Sequence, residues 1–440
     1  MRRLLASLLL SFAAMPLAAQ DTTQVREGVR VGVEYSGVRP GLVVLPGAGL
    51  DSIRAVVRRD LDYTDRFEMI GSGFETTETG SSTGPAGPVS YGIYKTMGAQ
   101  LGVELIQAPG GVTARLHDIN LQKVRTEQTF PLPAETDPEY RLGLHRVADE
   151  IARWASGTQG IAATRMLFVS NGRVYRIDSD GEAAVPLTPE GVTSLSPVWS
   201  PDGGRIAYTR LEGGRGGVIV QSLAGGAPQV APGAQSGLNI TPSFAPDGRT
   251  LAFARSDETG TDIFTSNVVD RCCAQRLTVG RYADNLSPTF SPDGRRIAFV
   301  STRSGPPQIY VMAANGTDQE LLAPFDYGAT GASNAPEWSP DGARVVFHRD
   351  VRNVTLAPQI FLVDVAGRRV TQLTSSGRNE DPTWGPDGRH IAFISDRSGR
   401  RQIWIIDTET GRVRQLQTPG AARLPSWSRR LGRTAVAPNP

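Results

Sequence analysis

The chain has 440 residues, 39% hydrophobic and 20% charged, which is typical of a globular protein with two domains. The formal net charge of +2 gives no electrostatic reason to expect a nucleic-acid partner. The 49 glycines and 31 prolines favour many turns over long helices.

The first residues are organised like a secretory signal peptide. Arg2 and Arg3 precede an apolar stretch that begins at Leu4, and the small residues Ala18 and Ala19 follow it. We place the signal at residues 1–19, with cleavage next to Ala19. The apolar stretch is shorter than the ~20 residues of a membrane-spanning helix, so the mature protein is expected to be exported without direct membrane insertion.

Residues 20–160 alternate between helical and strand patterns, which predicts an α/β N-terminal domain. Asp51 or Ser52 is expected to cap a first helix, and Asp137 a long last helix that Gly157 ends. A short helix is expected near residues 91–97. The predicted strands lie at residues 41–45, 67–70 and 102–106, followed by a hairpin over residues 111–130.

Residues 161–430 repeat a unit of 43 to 48 residues, each marked by an aromatic residue before a turn. The aromatic positions are Trp199, Phe244, Phe290, Trp338, Trp384 and Trp427. Four short strands per unit at this period predict a six-bladed, all-β propeller with WD40-like repeats. The strand at residues 424–427 is expected to complete the first unit and close the ring, which leaves residues 431–440 as a tail.

The repeated phrase Ser-Pro-Asp-Gly and its variants are predicted to be hairpin turns. Proline and aspartate suit the central positions of a turn, and glycine accepts the positive φ that follows. The aspartates lie in five different units, so they cannot converge on one metal or substrate. They are Asp202, Asp247, Asp293, Asp341 and Asp387.

No arrangement of residues indicates catalysis. The four histidines are scattered, and we find no nucleophile elbow at a strand-to-helix turn. We interpret His145 as a packing residue of the long helix, and the "DSDG" run at residues 178–181 as a turn rather than a calcium loop. The protein is therefore predicted not to be an enzyme and to need no cofactor or metal. Cys272 and Cys273 are the only cysteines, and the sequence leaves open whether they are free thiols or form a disulfide with each other.

The loops before the first strands carry a recurring asparagine. Asn239, Asn285 and Asn379 lie three residues before a proline, and Asn334 is one residue off this register. A polar ring at the mouth of the central channel could bind a protein partner, or each asparagine could close a local turn. Phe325 and Tyr327 are candidate aromatic anchors on the same face.

The chain resembles the TolB family of Tol–Pal components in the order of its domains and in three stretches of sequence. These are "GLVVLPG" at residues 41–47, "MGAQLGVELI" at residues 97–106 and the closing "LPSWS" at residues 424–428. The resemblance implies a periplasmic, monomeric scaffold that supports outer-membrane integrity, cell division and protein import. It further implies that the propeller binds the lipoprotein Pal, that the N-terminal segment binds the C-terminal domain of TolA, and that outer-membrane proteins are further partners.

The positions that match these two binding regions form two sets. The expected Pal-binding residues are Leu238, Asn239, Thr241, Asp284, Asn285, Leu286, Asn334, Asn379 and Glu380. The expected TolA-binding residues are Asp21, Val25, Arg26, Val29, Val31 and Val33. The three last valines alternate with other residues, as in a strand that adds to a sheet edge.

Two other classes of function stay open from the sequence. One is an accessory propeller of a peptidase, which would require a hydrolase domain. The other is a periplasmic propeller that binds a small ligand or a protein outside the Tol–Pal system.

Overall fold

The computed structural model describes residues 37–47, 49–71, 89–213, 215–234, 237–258, 260–280, 283–325, 330–352 and 356–431. The predicted signal peptide, the TolA-binding segment and residues 432–440 lie outside these ranges. Within them, no helix is long and apolar enough to cross a membrane.

The first part of the described chain forms one five-stranded sheet with three helices. Its elements are β1 (Gly41–Val44), α1 (Asp51–Asp62), β2 (Glu68–Met69), α2 (Tyr91–Thr96), β3 (Leu101–Ala108), β4 (Gly111–Asp118), β5 (Lys123–Pro131) and α3 (Tyr140–Ser156). The strand order is β2-β1-β3-β4-β5. Strand β1 pairs in parallel with β2 and β3, whereas β3, β4 and β5 pair antiparallel.

Helices cover both faces of this sheet. Val57 of α1 and Val147 and Ile151 of α3 are fully buried in one cluster with alternate residues of β1, β3 and β4. Tyr94 of α2 packs with Val43 on the opposite face. Burying each of these aliphatic side chains contributes about 1.5–3 kcal/mol. The 3.6-residue period of α1 and α3 and the two-residue period of the strands therefore decide which side chains meet.

Both predicted helix caps were wrong. Helix α1 begins at Asp51, with Leu50 in the cap position, and Asp51 instead forms an ion pair with Arg54 in the first turn. Helix α3 begins at Tyr140 because the Asp137 carboxylate accepts the backbone N–H of Glu139 at 2.8 Å and closes a turn before the helix. The predicted end of α3 is confirmed, since Gly157 has a φ of 74°.

The rest of the described chain consists of short strands and turns. In chain order the strands are β6 (Arg165–Ser170), β7 (Arg173–Asp178), β8 (Val185–Pro186), β9 (Thr193–Trp199), β10 (Arg205–Glu212), β11 (Arg215–Ser222), β12 (Gln229–Val230), β13 (Leu238–Phe244), β14 (Thr250–Asp257), β15 (Gly260–Asn267), β16 (Cys272–Arg276), β17 (Asn285–Phe290), β18 (Arg296–Ser301), β19 (Gln308–Ala313), β20 (Glu320–Leu321), β21 (Thr330–Trp338), β22 (Arg344–Arg352), β23 (Leu356–Asp364), β24 (Val370–Gln372), β25 (Asn379–Trp384), β26 (His390–Ser395), β27 (Gln402–Asp407), β28 (Val413–Leu416) and β29 (Arg423–Trp427).

These strands form four separate four-stranded sheets and one eight-stranded sheet. The four-stranded sheets are β29-β6-β7-β8, β17-β18-β19-β20, β21-β22-β23-β24 and β25-β26-β27-β28. The eight-stranded sheet contains β9 to β12 and β13 to β16, which one parallel pair between Gly216 and Leu238 connects. The second strands are buried on both faces, and the predicted column of small residues, Ala207, Ala252, Ala298 and Ala392, is fully buried.

The last strand completes the first sheet, as predicted. Strand β29 pairs antiparallel with β6, with Trp427 opposite Met166. The first strands β9, β13, β17, β21, β25 and β29 together line one central cavity of about 760 Å³. We call this cavity the central channel.

Candidate protein-binding face of the propeller

Each aspartate of the repeated phrase closes its own turn. In all five turns the aspartate Oδ1 accepts the backbone N–H of the residue two positions later. The following glycines have φ between 65° and 72°. At Asp293, hydrogen bonds from the Ser291 hydroxyl and the Arg295 backbone lower the pKa of the carboxyl. The hairpin-turn prediction is confirmed.

The asparagines of the loops lie inside the fold. Asn239, Asn285 and Asn379 are each 0% exposed. The Asn239 amide donates to the carbonyls of Gly216 and Gly237 at 3.2 and 3.3 Å, and that of Asn379 to the Ser376 carbonyl at 2.9 Å. We expected these three amides to contact a partner directly. The structure corrects this expectation, because the amides are buried and form hydrogen bonds within the loops.

Two of these asparagines also hold arginines that the sequence analysis did not single out. The Asn285 Oδ1 accepts from Arg303 Nη2 at 3.1 Å, and the Asn379 Oδ1 accepts from Arg397 Nη2 at 2.7 Å. The guanidinium of Arg397 lies 4.9 Å from the ring centroid of Trp404. An arginine shortly after the second strand, with an aromatic residue in the next strand, was the signal that could have revealed this arrangement.

Asn334 is out of register because Ser333 occupies its place. The Ser333 hydroxyl accepts from Arg349 Nε at 2.8 Å, and the Arg349 guanidinium lies 5.0 Å from the Phe347 ring. Burial of Arg349 lowers the pKa of its guanidinium to about 10. Asn334 itself is half-buried and pairs with His348 across β21 and β22.

The other residues expected to bind Pal are accessible to different extents. Leu238 is 38% exposed, and Asp284 is also exposed. Glu380 is half-buried and forms ion pairs with Arg401 at 3.2 Å and Arg378 at 3.8 Å. Thr241 and Leu286 are half-buried, as is the candidate anchor Phe325. Tyr327 lies outside the described residues.

An exposed valine in the same kind of loop was missed. Val279 is 79% exposed between β16 and β17, five residues before Asp284. We call Leu238, Val279 and Asp284 the loop face. These residues lie near the start of the first strands, whereas the aspartate turns lie at the ends of those strands.

The residue before each proline in the first strands has the same unusual backbone. Its φ lies between 48° and 52° at Ser196, Thr241, Ser287, Ala335, Asp381 and Leu424. These residues line the central channel and link neighbouring units, as where the Ser287 N–H donates to Thr241 Oγ1 at 3.1 Å. Sequence periodicity predicted the strands but not this bulge, because a left-handed residue other than glycine has no compositional signal.

The central channel holds two carboxyl groups with perturbed proton affinity. Burial raises the pKa of Glu337 to about 7, although its carboxylate accepts the Trp384 N–H at 3.3 Å. Burial also raises the pKa of Asp381, whose Oδ2 accepts the Leu424 N–H at 3.4 Å. Burial lowers the pKa of the neighbouring His348 to about 4. These groups form hydrogen bonds between neighbouring units of the propeller.

Two histidine-centred ion networks join the helices of the first sheet to the propeller. The His145 Nδ1 lies 2.6 Å from Asp60 Oδ2, and its Nε2 faces Asp180 Oδ2 at 3.6 Å. His390 lies between Asp387 at 2.7 Å and Asp65 at 3.2 Å. The packing interpretation of His145 is corrected, because its fully buried ring pairs with carboxylates, whereas the "DSDG" run is the predicted turn between β7 and β8. The sequence did not reveal that His145 and the "DSDG" run connect the first sheet with the propeller.

The carboxylates of both networks are compensated by arginines. Arg59 and Arg141 donate to Asp180, and Arg389 donates to Asp407. Although each histidine and two carboxylates lie close enough to share a cation, these guanidinium groups already supply the positive charge. We therefore assign no metal or cofactor to either network.

A family model described as the TolB beta propeller domain matches residues 154–329 and 325–437. The chain belongs to this TolB β-propeller family. The chain is similar to the Tol-Pal system protein TolB of Methylococcus capsulatus, with 32% identity over 235 residues that are 50% of this chain and 52% of that protein. The protein of the same name from Bordetella avium is 29% identical over 230 residues, 49% of each chain. The chain thus spans about half the length of the curated relatives it matches.

A solved structure of TolB from Acinetobacter baumannii has the same fold. It is 22% identical, covers 91% of this chain and 99% of its own, and superposes with a TM-score of 0.74. The β-propeller prediction and the resemblance to the TolB family are confirmed. The relatives named above carry the name Tol-Pal system protein TolB.

Proposed function

We propose that this protein is a periplasmic scaffold without enzymatic activity, and that its propeller binds the lipoprotein Pal. Its membership of the TolB β-propeller family is the observation that supports this most strongly. The proposal includes a signal peptide at residues 1–19, an α/β domain at 20–160, a six-bladed propeller at 161–430 and a tail at 431–440. The eight-stranded sheet then counts as two blades joined by the Gly216 pair.

The loop face is the proposed contact surface for Pal. Leu238 and Val279 offer exposed apolar surface, and Asp284 offers a charge at the same end of the first strands. Such a mixture of apolar and charged groups suits a protein partner. Asn239 and Asn285, which directly follow Leu238 and Asp284, are buried and donate hydrogen bonds to neighbouring backbone carbonyls.

The N-terminal segment is the proposed contact for the C-terminal domain of TolA. The alternating residues Val29, Val31 and Val33 suit addition to a sheet edge in that partner. We further propose that occupancy of this segment by TolA changes the affinity of the propeller for Pal. The two histidine networks are the contacts through which such a change would pass. Support of outer-membrane integrity, cell division and protein import would follow from this coupling.

Binding is tested by isothermal titration of the full mature chain with the soluble domain of Pal from the same organism. The wild type is expected to bind, and Leu238→Glu and Asp284→Arg are each expected to weaken binding at least tenfold, a loss of about 1.4 kcal/mol or more. Val269→Glu is the matched control, because Val269 is 46% exposed in the turn between β15 and β16, away from the loop face. If the wild type does not bind, the proposed function is wrong; if only the control variant weakens binding, the surface is wrong.

A further inference from the structure

The only two cysteines of the chain form a disulfide between adjacent residues. Cys272 and Cys273 are bonded in β16, the outer strand of its half of the eight-stranded sheet. The Cys273 residue is exposed and Cys272 is half-buried. Neither belongs to the loop face or the central channel, so the proposed function leaves this bond unused.

The backbone around the bond is in an unfavourable conformation. Arg271 and Cys273 have φ values of 55° and 67°, in the left-handed region that residues with a Cβ rarely adopt. The pairing of β15 with β16 also shifts register between Thr265 and Asn267, opposite Cys272. A ring closed by neighbouring cysteines restricts both residues, and it coincides here with an irregular sheet edge.

The constrained strand touches the preceding unit of the propeller. The Arg271 guanidinium donates to Gln229 Oε1 in β12. Gly233, with a φ of 79°, follows β12, and a Cβ placed there would lie 2.5 Å from the Cβ of Ala274. A cavity of about 220 Å³ lined by Gln229 and Arg271 lies at this contact. The conformation of residues 271–274 therefore decides how β16 meets the segment after β12.

We propose that the Cys272–Cys273 bond is a redox site for dithiols, and that its reduction loosens the contact between β16 and residues 229–233. A thiolate of the dithiol attacks the exposed Cys273 Sγ, and the Cys272 sulfur leaves as a thiolate. The second thiol of the reductant then attacks the mixed disulfide and releases Cys273. The reductant becomes a disulfide, and two electrons and two protons pass to the pair of cysteines. The opened chain is free to leave the left-handed conformation at Cys273.

Hydrogen–deuterium exchange of the full mature chain, before and after treatment with dithiothreitol, tests this proposal. Alkylation under denaturing, non-reducing conditions is expected to find no free thiol before treatment and two afterwards. After reduction, amides of residues 229–233 and 271–276 are expected to exchange about tenfold faster, while those of β26 stay unchanged.

Two variants separate the bond from its neighbours. The double variant Cys272→Ser/Cys273→Ser is expected to exchange at the faster rate with or without dithiothreitol. Arg271→Ala keeps the disulfide and is expected to retain its response to the reductant. Two free thiols in the untreated protein, or identical exchange before and after reduction, would overturn the proposal.

Discussion

At the residue scale, buried charges join the two parts of the chain. Burial alone would lower the pKa of His390, but the carboxylates of Asp387 and Asp65 raise it to about 9. The pKa of His145 is also raised, chiefly by Asp60 against the effect of burial. His390 is therefore cationic at neutral pH, and its charge adds to that of the arginines around it in balancing the buried carboxylates.

We predict that His390→Gln lowers the free energy of unfolding by about 3 kcal/mol at pH 7, because it removes the cation that faces the buried Asp387 carboxylate. Since the folded pKa of His390 exceeds the unfolded value of 6.5, its contribution is complete below pH 6.5 and is lost as the pH rises through about 9. Urea unfolding should show a smaller difference between wild type and variant at pH 10 than at pH 7.

His348→Gln is the control for this prediction. The pKa of His348 is lowered to about 4 by burial, so this side chain is neutral at pH 7 and at pH 10. Its substitution should cost the same at both values. An equal cost of His390→Gln at pH 7 and pH 10 would contradict the assignment of a charged His390.

The buried asparagines allow a second test at this scale. Asn379→Ala removes the acceptor of Arg397 and the donor to Gln359 and Ser376, so we expect a loss of about 1–3 kcal/mol in the free energy of unfolding. Asn334→Ala, at the half-buried position out of register, should cost less than about 0.5 kcal/mol. Equal effects in thermal or urea unfolding would argue against the supporting role of Asn379.

The sequence predicted that these asparagines lie in the loops before the first strands, but it did not indicate which way their side chains face. Their spacing before proline is a local signal, and it located the loops correctly. Asn285 and Asn379 each accept a hydrogen bond from an arginine 18 residues further along the chain, Arg303 and Arg397 respectively. Because such contacts follow from the packing of several strands, periodicity could not distinguish a polar ring that faces a partner from one that faces inward.

At the element scale, the end of α3 is attached to the start of the propeller by one carboxylate. Asp149 accepts the backbone N–H groups of Ala162 and Ala163 at 2.7 and 2.9 Å. Gly160 approaches so closely that a Cβ there would lie 2.2 Å from Asp149 Oδ1. From the other side, Arg430 donates to the Gly160 carbonyl at 2.9 Å. Helix α3, the connecting segment and the residues just after the closing strand β29 are thus held together at one point.

Burial raises the pKa of Asp149 to about 7 against the two backbone hydrogen bonds. A carboxyl with a raised folded pKa makes the protein more stable as the pH falls from about 7 towards 3.8, because the folded state binds the proton more tightly. We predict that Asp149→Asn lacks this gain. The difference in unfolding free energy, wild type minus variant, should therefore widen from pH 7 to pH 4. A difference that stays constant or narrows would show that Asp149 is ionised throughout.

Element boundaries show where local sequence rules failed. Gly157 ended α3 as predicted, because a left-handed residue is a local requirement. The starts of α1 and α3 were displaced, because Asp51 and Asp137 found partners other than the helix N–H groups. Cap rules describe which hydrogen bonds a side chain can make, whereas the fold decides which of them it makes.

At the scale of the whole molecule, the ring depends on its last strand. Trp427 is 6% exposed, its N–H donates to Thr383 Oγ1 at 3.1 Å, and its Nε1 donates to Thr164 Oγ1 at 2.8 Å. It therefore ties the first and last units together. The repeat period and the incomplete first unit were sufficient to predict this closure from the sequence, because both signals extend over the whole chain.

We predict that Trp427→Ala lowers the free energy of unfolding by about 3–5 kcal/mol through the cavity and the lost hydrogen bonds. Leu431→Ala, just beyond the closing strand at a half-buried position, is the control and should cost clearly less. Calorimetry of both variants would measure the effect. A small, equal loss for the two would mean that the ring is held closed elsewhere.

We propose that Pal contacts the start of the first strands and not the aspartate turns at their ends. This proposal is tested most directly by placing a photo-crosslinking amino acid at position 238 or at position 293 of the full mature chain, in the presence of the soluble domain of Pal. Strand β13 separates its two ends by about 20 Å at 3.3 Å per residue, so the two faces are resolved. A crosslinked product from position 238 and none from 293 is expected; a product from position 293 alone would contradict the account.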